Sequence, residues 1–284
     1  MSTPPSKVFR ADLLAGRVAL VTGGGTGIGA ETARELTRLG ARVYIASRRP
    51  EHIEPAAAGL SEELGAPVRG LILDIRDRDS VARGVSRVLS EAGRLDLLVN
   101  NGGGQFLSPA AQITPKGWDA VVNTNLTGTW NLTRAAADAW MLEHGGSVVN
   151  VTMLSQRGFP GMAHSVAARS GVEAMTRTLA VEWAPNRVRI NCVAPGFVAS
   201  SGMHNYPDGI NLATELQRTI PQKRLLRCEE IAWAICYLLS PAAEGVTGQT
   251  WTVDGGATLW GNLWPVPDPD ELPVVHIPTE PWQR

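Results

Sequence analysis

The stretch RVALVTGGGTGIG, Arg17 to Gly29, decides the fold. An apolar run, VALVT, leads straight into glycines at 23, 24, 25, 27 and 29, and helix-forming residues continue from Ala30 to Leu39. That order predicts a buried strand, a tight turn and a helix. Glycine lets the backbone turn sharply and approach a ligand closely, while the N–H groups and positive dipole end of the next helix face negative charge. The turn is a candidate cradle for a dinucleotide pyrophosphate, built by Gly23, Gly25, Thr26, Gly27, Ile28 and Gly29. Its spacing, TGxxxGxG, departs from the commoner GxGxxG fingerprint. A strand-to-helix turn with no ligand makes the same local demands.

Outward from this unit, strand-like and helix-like segments alternate. Strands are expected at 18–21, 42–46, 68–73, 95–99, 147–152, 187–192 and 250–253. Helices are expected at 27–39, at 61–65 with the residues before them, and at 78–92, 115–143 with a bend, 161–184 and 228–239. Such alternation predicts an α/β fold, a doubly wound seven-stranded parallel sheet in a single domain. That domain spans 17–256, after an N-terminal extension over 1–16. Thr114 followed by Pro115 reads as a helix start. Residues 194–227 are rich in Gly, Pro and Asn and too long for an ordinary connection, so they read as a lid that moves over a cleft. The tail, 257–284, carries repeated prolines with Trp260, Trp264 and Trp282. It reads as extended chain, either docked on a second subunit through its tryptophans or loose as a terminus.

Composition narrows the function. The 284 residues are 44% hydrophobic and 19% charged, enough for one large core. A formal net charge of −1 gives no electrostatic footprint for nucleic acid or an anionic membrane, so a small-molecule partner is expected. Cys192, Cys228 and Cys236 are odd in number and lack metal-ligand spacing, so they read as thiols in a reducing compartment with no metal site. The opening MSTPPSKVFRADLLAG has no apolar signal core, no run suits a membrane span, and PWQR is not the peroxisomal SKL address. A cytoplasmic location is expected.

In a sheet of this kind the end of the second strand meets the adenosine ribose, where an acidic side chain would bind the hydroxyls. Here the sequence is ASRR. Ser47, Arg48 and Arg49 suit a 2′-phosphate instead, because guanidinium donors pair with phosphate, and this favours NADP(H) over NAD(H). Solvated surface arginines are the competing reading. Asp74, followed by Ile75, closes the third strand, where it accepts from an adenine amino group or caps the next helix. Asn100 and Gly102, in NNGGG, end the fourth strand where such sheets hold ligands.

Through these residues the chain resembles the short-chain dehydrogenase/reductase family over about residues 14–256. TGGGTGIG from 22, Asp74, NNGGG from 100, Asn125 in NTNLTG, VRINCVAPGFV from 188 and TGQTWTVDGG from 247 stand in the family's order. The resemblance implies a Rossmann fold and a nicotinamide cofactor touched by Asn125, Pro195, Gly196, Val198 and Ser200. Within the family, GGGQFLSPA from 102, KGWDAVVNTNLTGT from 116, GFPGMAHSVAARSGV from 158 and the tail are similar to the peroxisomal trans-2-enoyl-CoA reductase branch. The likeness to 2,4-dienoyl-CoA reductases is weaker. These relatives imply NADPH-dependent reduction of a carbon–carbon double bond conjugated to an acyl thioester, in fatty acid metabolism. They also imply a homo-oligomer, dimer or tetramer, paired through helices around 124–140 and 161–184.

Most of the family pairs a tyrosine with a lysine four residues later, after a serine. The tyrosine protonates the forming alkoxide, and the lysine lowers its pKa and holds the nicotinamide ribose. Aligning SVAARSGV with YxAxKxxV puts Ser165 in the tyrosine's place and Arg169 in the lysine's, while the serine falls near Thr152 or Met153. A guanidinium stays protonated, so Arg169 can position ribose hydroxyls without shuttling a proton. It could instead pair with Glu173 one turn on. Ser165 is a poor acid, which argues against reduction of a simple ketone. Enoyl thioester reduction asks mainly for donors around the oxygen where enolate charge gathers. Thr152, Ser155 and Ser165, with the ribose hydroxyl held by Arg169, are the candidates. Against them stand structural roles: Thr152 as a strand residue, Ser155 in a turn, Ser165 as a small residue between helices. His164 could donate a proton, or face solvent or a subunit contact. Arg218, Lys223, Arg224 and Arg227 could receive CoA or form a solvated face. Two other functions stay open: a reductase of a small carbonyl or activated alkene without CoA, and an NADP-binding sensor that lost catalysis.

Overall fold

In the computed structural model, which describes residues 3–205, 209–261 and 265–277, the deciding stretch forms β1 (Val18–Thr22), a glycine loop and α1 (Gly27–Arg38). The pattern repeats through β2 (Arg42–Ser47), α2 (Pro50–Leu64), β3 (Val68–Ile72), α3 (Arg78–Ala92) and β4 (Leu97–Asn100). A long rod follows: α4 (Pro115–Val122), α5 (Gly128–Ala136) and α6 (Leu142–His144). Where the sequence predicts a bend, wide π turns at Asn123–Thr127 and Ala137–Met141 interrupt the rod without breaking it. The chain continues with β5 (Gly146–Val151), α7 (Ala163–Glu182), β6 (Val188–Pro195) and β7 (Val198–Ala199). It then forms α8 (Gly209–Arg218), β8 (Leu226–Arg227), α9 (Cys228–Leu239) and β9 (Thr250–Val253).

Seven strands make one sheet in the order β3-β2-β1-β4-β5-β6-β9, every neighbouring pair parallel. The order reverses between β1 and β4, and at such a switch point the loops above the carboxyl ends part and leave a crevice. Alternation sends the two faces of each strand into different cores. Ala19 and Val21 join Leu36, Ile53, Ile231 and Ile235, whereas Val18 and Leu20 join Val85, Leu132 and Leu179. Each such aliphatic side chain contributes about 1.5–3 kcal/mol by leaving water, so a one-residue slip of β1 is heavily disfavoured.

Helix ends follow local chemistry. Thr114 caps α4, its Oγ1 accepting from Gly117 N at 3.1 Å, as the Thr-Pro pair predicts. For α3 the cap is Asp77, which accepts from Asp79 N at 3.0 Å, so Asp74 does not serve there. Pro50, whose fixed φ suits a first turn, starts α2 well before 61.

The segment read as a lid has secondary structure and a small core of its own. Val198 pairs with Leu226 at its base, and Met203, Ala213, Ile220 and Leu225 pack together within it. The described tail lies on this segment of its own chain: Asp268 pairs with Arg218 and Lys223, and Val275 and Ile277 join the small core. Trp264 and Trp282 fall outside the described residues. On the opposite side, Leu14 of the N-terminal extension enters the core beneath α1 and α9, and Lys7 pairs with Glu229 at 2.9 Å.

Candidate active site

At the switch point, side chains stitch the loops after β1 and β4 together. Thr22 Oγ1 accepts from the backbone N–H of Asn101 at 3.1 Å and of Gly102 at 2.9 Å. Asn101 Nδ2 donates to the carbonyls of Thr22 and Gly23 at 3.1 and 3.2 Å. Sequence reasoning missed both stitches; their only signal is a polar residue at the end of each strand, just before the glycines. Gly23 has φ +62°, and a Cβ on Gly29 would collide with the Gly23 carbonyl oxygen. Thr26, at the N-cap of α1, makes no side-chain cap, and the first turn holds no acid. The helix end therefore keeps its donors for an anion, and a dinucleotide pyrophosphate fits this cradle of Gly23, Gly25, Gly27, Ile28 and Gly29.

Other expected cofactor residues ring the crevice. Ser200 comes within contact of Gly27: a Cβ there would lie 3.6 Å from the serine Cβ. Pro195 ends β6, Gly196 N donates to Val253 O at 2.8 Å, and Val198 is buried in the β7–β8 pair. Ser47 ends β2, with Arg48 and Arg49 exposed behind it. Asp74 is already engaged: Oδ1 accepts from Arg76 N and Nε at 3.0 and 2.9 Å, and Oδ2 from Nη2 at 2.6 Å. The Arg76 guanidinium holds that carboxyl below its usual pKa despite burial. Ile75 is buried, its carbonyl accepting from Asn131 Nδ2 at 3.1 Å. Asn100 donates to Thr133 Oγ1 and Asn150 Oδ1, both at 2.8 Å, so its side chain braces the sheet beneath the crevice.

The other half of the site is built by the end of β5, the loop after it, and α7. Asn125, buried in the first π turn, grips Gly104 at both ends of its amide, accepting from Gly104 N and donating to Gly104 O at 2.9 Å each. Beside it Arg169 is buried; its Nη1 donates to Val151 O, and its Nη2 occupies the space a Cβ on Gly103 would need. Burial lowers its pKa to about 10. The Arg169–Glu173 pair that the spacing allows does not form, because each group has a nearer partner. Glu173 turns to the loop and accepts from Thr152 Oγ1 and Ser155 Oγ, each at 3.2 Å. Burial raises its pKa, against those hydrogen bonds and the charge of Arg177.

Ser165 is fully buried and donates to Gln105 Oε1 at 2.8 Å. The three hydroxyls expected around one oxygen thus divide: Thr152 and Ser155 converge on Glu173, and Ser165 turns to the loop after β4. Gln105 and the convergence of both hydroxyls on Glu173 escaped sequence reasoning. His164 faces neither solvent nor a subunit. It is fully buried, Nδ1 accepting from Ser165 N at 2.7 Å and the ring edge-on to Phe106 at 4.4 Å, because the first turn of α7 is pressed under the β4 loop.

The four cations considered for CoA all meet acids of this chain. Arg224 is bidentate to Glu230 at 2.8 and 2.7 Å, Arg227 lies 3.8 Å from Glu229 and Glu230, and Arg218 and Lys223 share Asp268. Burial pushes the Cys192 thiol up to about 11, which keeps it protonated. Among the described residues no group of three His, Cys, Asp or Glu could hold a metal, and no helix is long and apolar enough to cross a membrane.

The family model described as Enoyl-(Acyl carrier protein) reductase matches residues 23–258. The chain is a short-chain dehydrogenase/reductase. Members of the family similar to it include the peroxisomal 2,4-dienoyl-CoA reductase of Danio rerio, 37% identical over 254 residues, 89% of this chain and 85% of that protein. The 3-oxoacyl-(acyl-carrier-protein) reductase FabG of Thermotoga maritima is 34% identical over 247 residues, 87% of this chain and 99% of that one. Among solved structures, the citronellol catabolism dehydrogenase AtuB of Pseudomonas aeruginosa PAO1 is 42% identical with a TM-score of 0.78, covering 88% of this chain and 98% of that one. A single-substitution variant of actinorhodin polyketide ketoreductase with NADPH is 30% identical with a TM-score of 0.82, covering 88% and 100%. Like other short-chain dehydrogenases/reductases, this chain is an oxidoreductase with a nicotinamide cofactor. The relatives found include the dienoyl-CoA reductases, to which the sequence motifs give the weaker likeness.

Proposed function

We propose that this oxidoreductase uses NADPH to reduce the double bond of a trans-2-enoyl-CoA or a similar acyl thioester. Arg169 carries the reading: a guanidinium buried at the carboxyl edge of the sheet, with no carboxylate partner among the described residues. A buried cation without a counterion is costly, and a site that keeps one is prepared for developing negative charge. Ser165, tied to Gln105, is no strong acid. The pair therefore suits a reaction whose charge gathers as an enolate rather than one that protonates an alkoxide at once.

Bound NADPH would supply a hydride to the β-carbon. Arg169 and Asn125 fix the positive charge and the Gly103–Gly104 backbone around the thioester oxygen. Burial raises the Glu173 pKa, and the hydroxyls of Ser155 and Thr152 that donate to it form the route by which its proton would reach the α-carbon. Arg48 and Arg49 take the 2′-phosphate of the cofactor. Two of the comparisons support the same reading, the peroxisomal 2,4-dienoyl-CoA reductase and the Enoyl-(Acyl carrier protein) reductase family.

One observation favours a second reading. Arg218, Lys223, Arg224 and Arg227 are paired within the chain, as a reductase of a small carbonyl or activated alkene without CoA would have them. The test is NADPH consumption, against NADH, with crotonyl-CoA, a longer enoyl-CoA, simple ketones and enals. Thioester turnover supports the proposal, and turnover of carbonyls alone selects the second reading. Tight NADPH binding with no consumption removes both.

A further inference from the structure

Asp268 bridges two cations. Its Oδ2 lies 3.1 Å from Arg218 Nη1 and its Oδ1 lies 3.0 Å from Lys223 Nζ. Lys223 is built into place: its side chain is 7% exposed, and Nζ also donates to Arg218 O at 2.9 Å and sits 4.8 Å from the Trp260 ring centre. Its φ of +55° is a left-handed conformation unfavourable for lysine, the kind of strain that persists only where surroundings hold it. Arg224 is different, because its partner Glu230 also accepts from Arg227 N and so holds the start of α9. Asp268 supports no helix or strand; it lies in the extended, proline-rich run PVPDPDELP, residues 265–273. It can leave for the loss of two ion pairs, one of them to a half-exposed arginine.

The cation pair also lies on the edge of the sheet that holds the site. A Cβ on Gly255, just beyond β9, would meet Ile220 Cγ2 at 2.7 Å, and Gln222 N donates to Gly255 O at 3.4 Å. Asp254 in turn packs on Gly196, just beyond β6. Residues 218–223 therefore form part of the rim above the carboxyl ends of β6 and β9.

We propose that Arg218 and Lys223 form a subsite for a phosphate of the acyl carrier, filled by Asp268 when the carrier is absent. The inference rests on the acyl thioester reading and deepens it. Two oxygens of one carboxylate already span both cations, and two oxygens of a phosphate would span them with more charge. The tail thereby competes with the carrier and sets a preference for thioesters on a phosphorylated carrier.

The experiment is calorimetry on the full chain with coenzyme A, 4′-phosphopantetheine, pantetheine and inorganic phosphate, for the wild type, D268N and R218Q. Coenzyme A should bind about tenfold or more tightly than pantetheine, tighten about threefold to tenfold in D268N, and weaken about tenfold in R218Q. Pantetheine should respond to neither change. A response of 4′-phosphopantetheine equal to that of coenzyme A assigns the subsite to the phosphate nearest the thioester arm; no response assigns it to the nucleotide end. A coenzyme A affinity equal in all three proteins, or inorganic phosphate displacing coenzyme A at equal affinity, overturns the proposal. If D268N responds but no enoyl thioester is reduced, the subsite stands and the reaction falls. If crotonyl thioesters are reduced while neither variant alters coenzyme A binding, the reaction stands and the subsite falls.

Discussion

The β1/β4 side of the crevice is lined with backbone, and the β5/α7 side with side chains. Gly23 and Gly29 shape the first half, and Thr22 and Asn101 join adjacent loops by bonding main-chain groups. In the second half Arg169 reaches Val151, Glu173 reaches Thr152 and Ser165 reaches Gln105, over separations of 18, 21 and 60 residues. A backbone that only glycine can follow permits almost no substitution. A side-chain cluster can exchange members and keep its frame, and this one holds serine and arginine where most of the family has tyrosine and lysine. Under the proposed function, the shared task of holding a dinucleotide falls to the rigid half and the chemistry to the adaptable one.

The sharpest way to break that contrast is Gly29→Ala. Its Cβ meets the Gly23 carbonyl oxygen, which only main-chain movement relieves. Overpacking of this kind costs about 1–3 kcal/mol, and the movement opens the cradle itself. NADPH binding followed by fluorescence should vanish, and an unchanged Kd would show that the cradle is not the binding element. In the other half Arg169→Met should lower kcat by about 10²–10³, the usual effect of removing one preorganised donor. Arg169→Lys should recover part of it, keeping the charge without the reach to Val151. Wild-type kcat in both variants would remove charge from the account of this half.

Glu173 offers the next effect, read as a pH profile. Its pKa is raised by burial, with Thr152, Ser155, Arg177 and Cys192 facing it. A proton donor must be protonated, so kcat should hold at lower pH and fall as pH rises through the raised value. Stability runs with the same sign: this carboxyl's contribution is full below the ordinary glutamate range and is lost as pH rises through the folded-state pKa. Glu173→Gln should cost about 10² in kcat and flatten that limb. A limb that survives the substitution belongs to another group. Smaller again is Arg48→Ala, which should raise KM for NADPH about tenfold and leave NADH alone, one charge-assisted contact being lost.

The fold was legible because its signals are local. Every sheet strand lies within a few residues of its expected place, since for most of them a short, largely apolar run marks the strand without reference to distant residues. Gly23 to Gly29 were legible for the same reason. Asp74 reads in the sequence as an adenine contact or a cap because nothing local announces that Arg76, two residues on, folds back over it. Arg169 and Glu173 stand at a spacing that predicts an ion pair on an isolated helix. The fold overrides that prediction by bringing the Val151 carbonyl to one and two hydroxyls to the other. His164 and Gln105 were opaque for a related reason, since burial under the β4 loop is decided by packing 60 residues away.

The smallest effect tests the contrast with one kind of substitution in both halves. Gly103→Ala, like Gly29→Ala, places a Cβ where no space exists, but the atom it meets is Arg169 Nη2, the far end of a flexible side chain. The guanidinium can swing aside at modest cost, although Asn125 Oδ1, 2.8 Å from the same Cβ, limits the room. The chain should therefore fold and bind NADPH as before. Arg169 would lose its aim rather than its charge, and kcat should drop about threefold to tenfold, the value of one displaced hydrogen bond. If Gly103→Ala instead abolished cofactor binding, the β4 loop would belong to the rigid half after all, and the boundary would move from the β4 loop to α7.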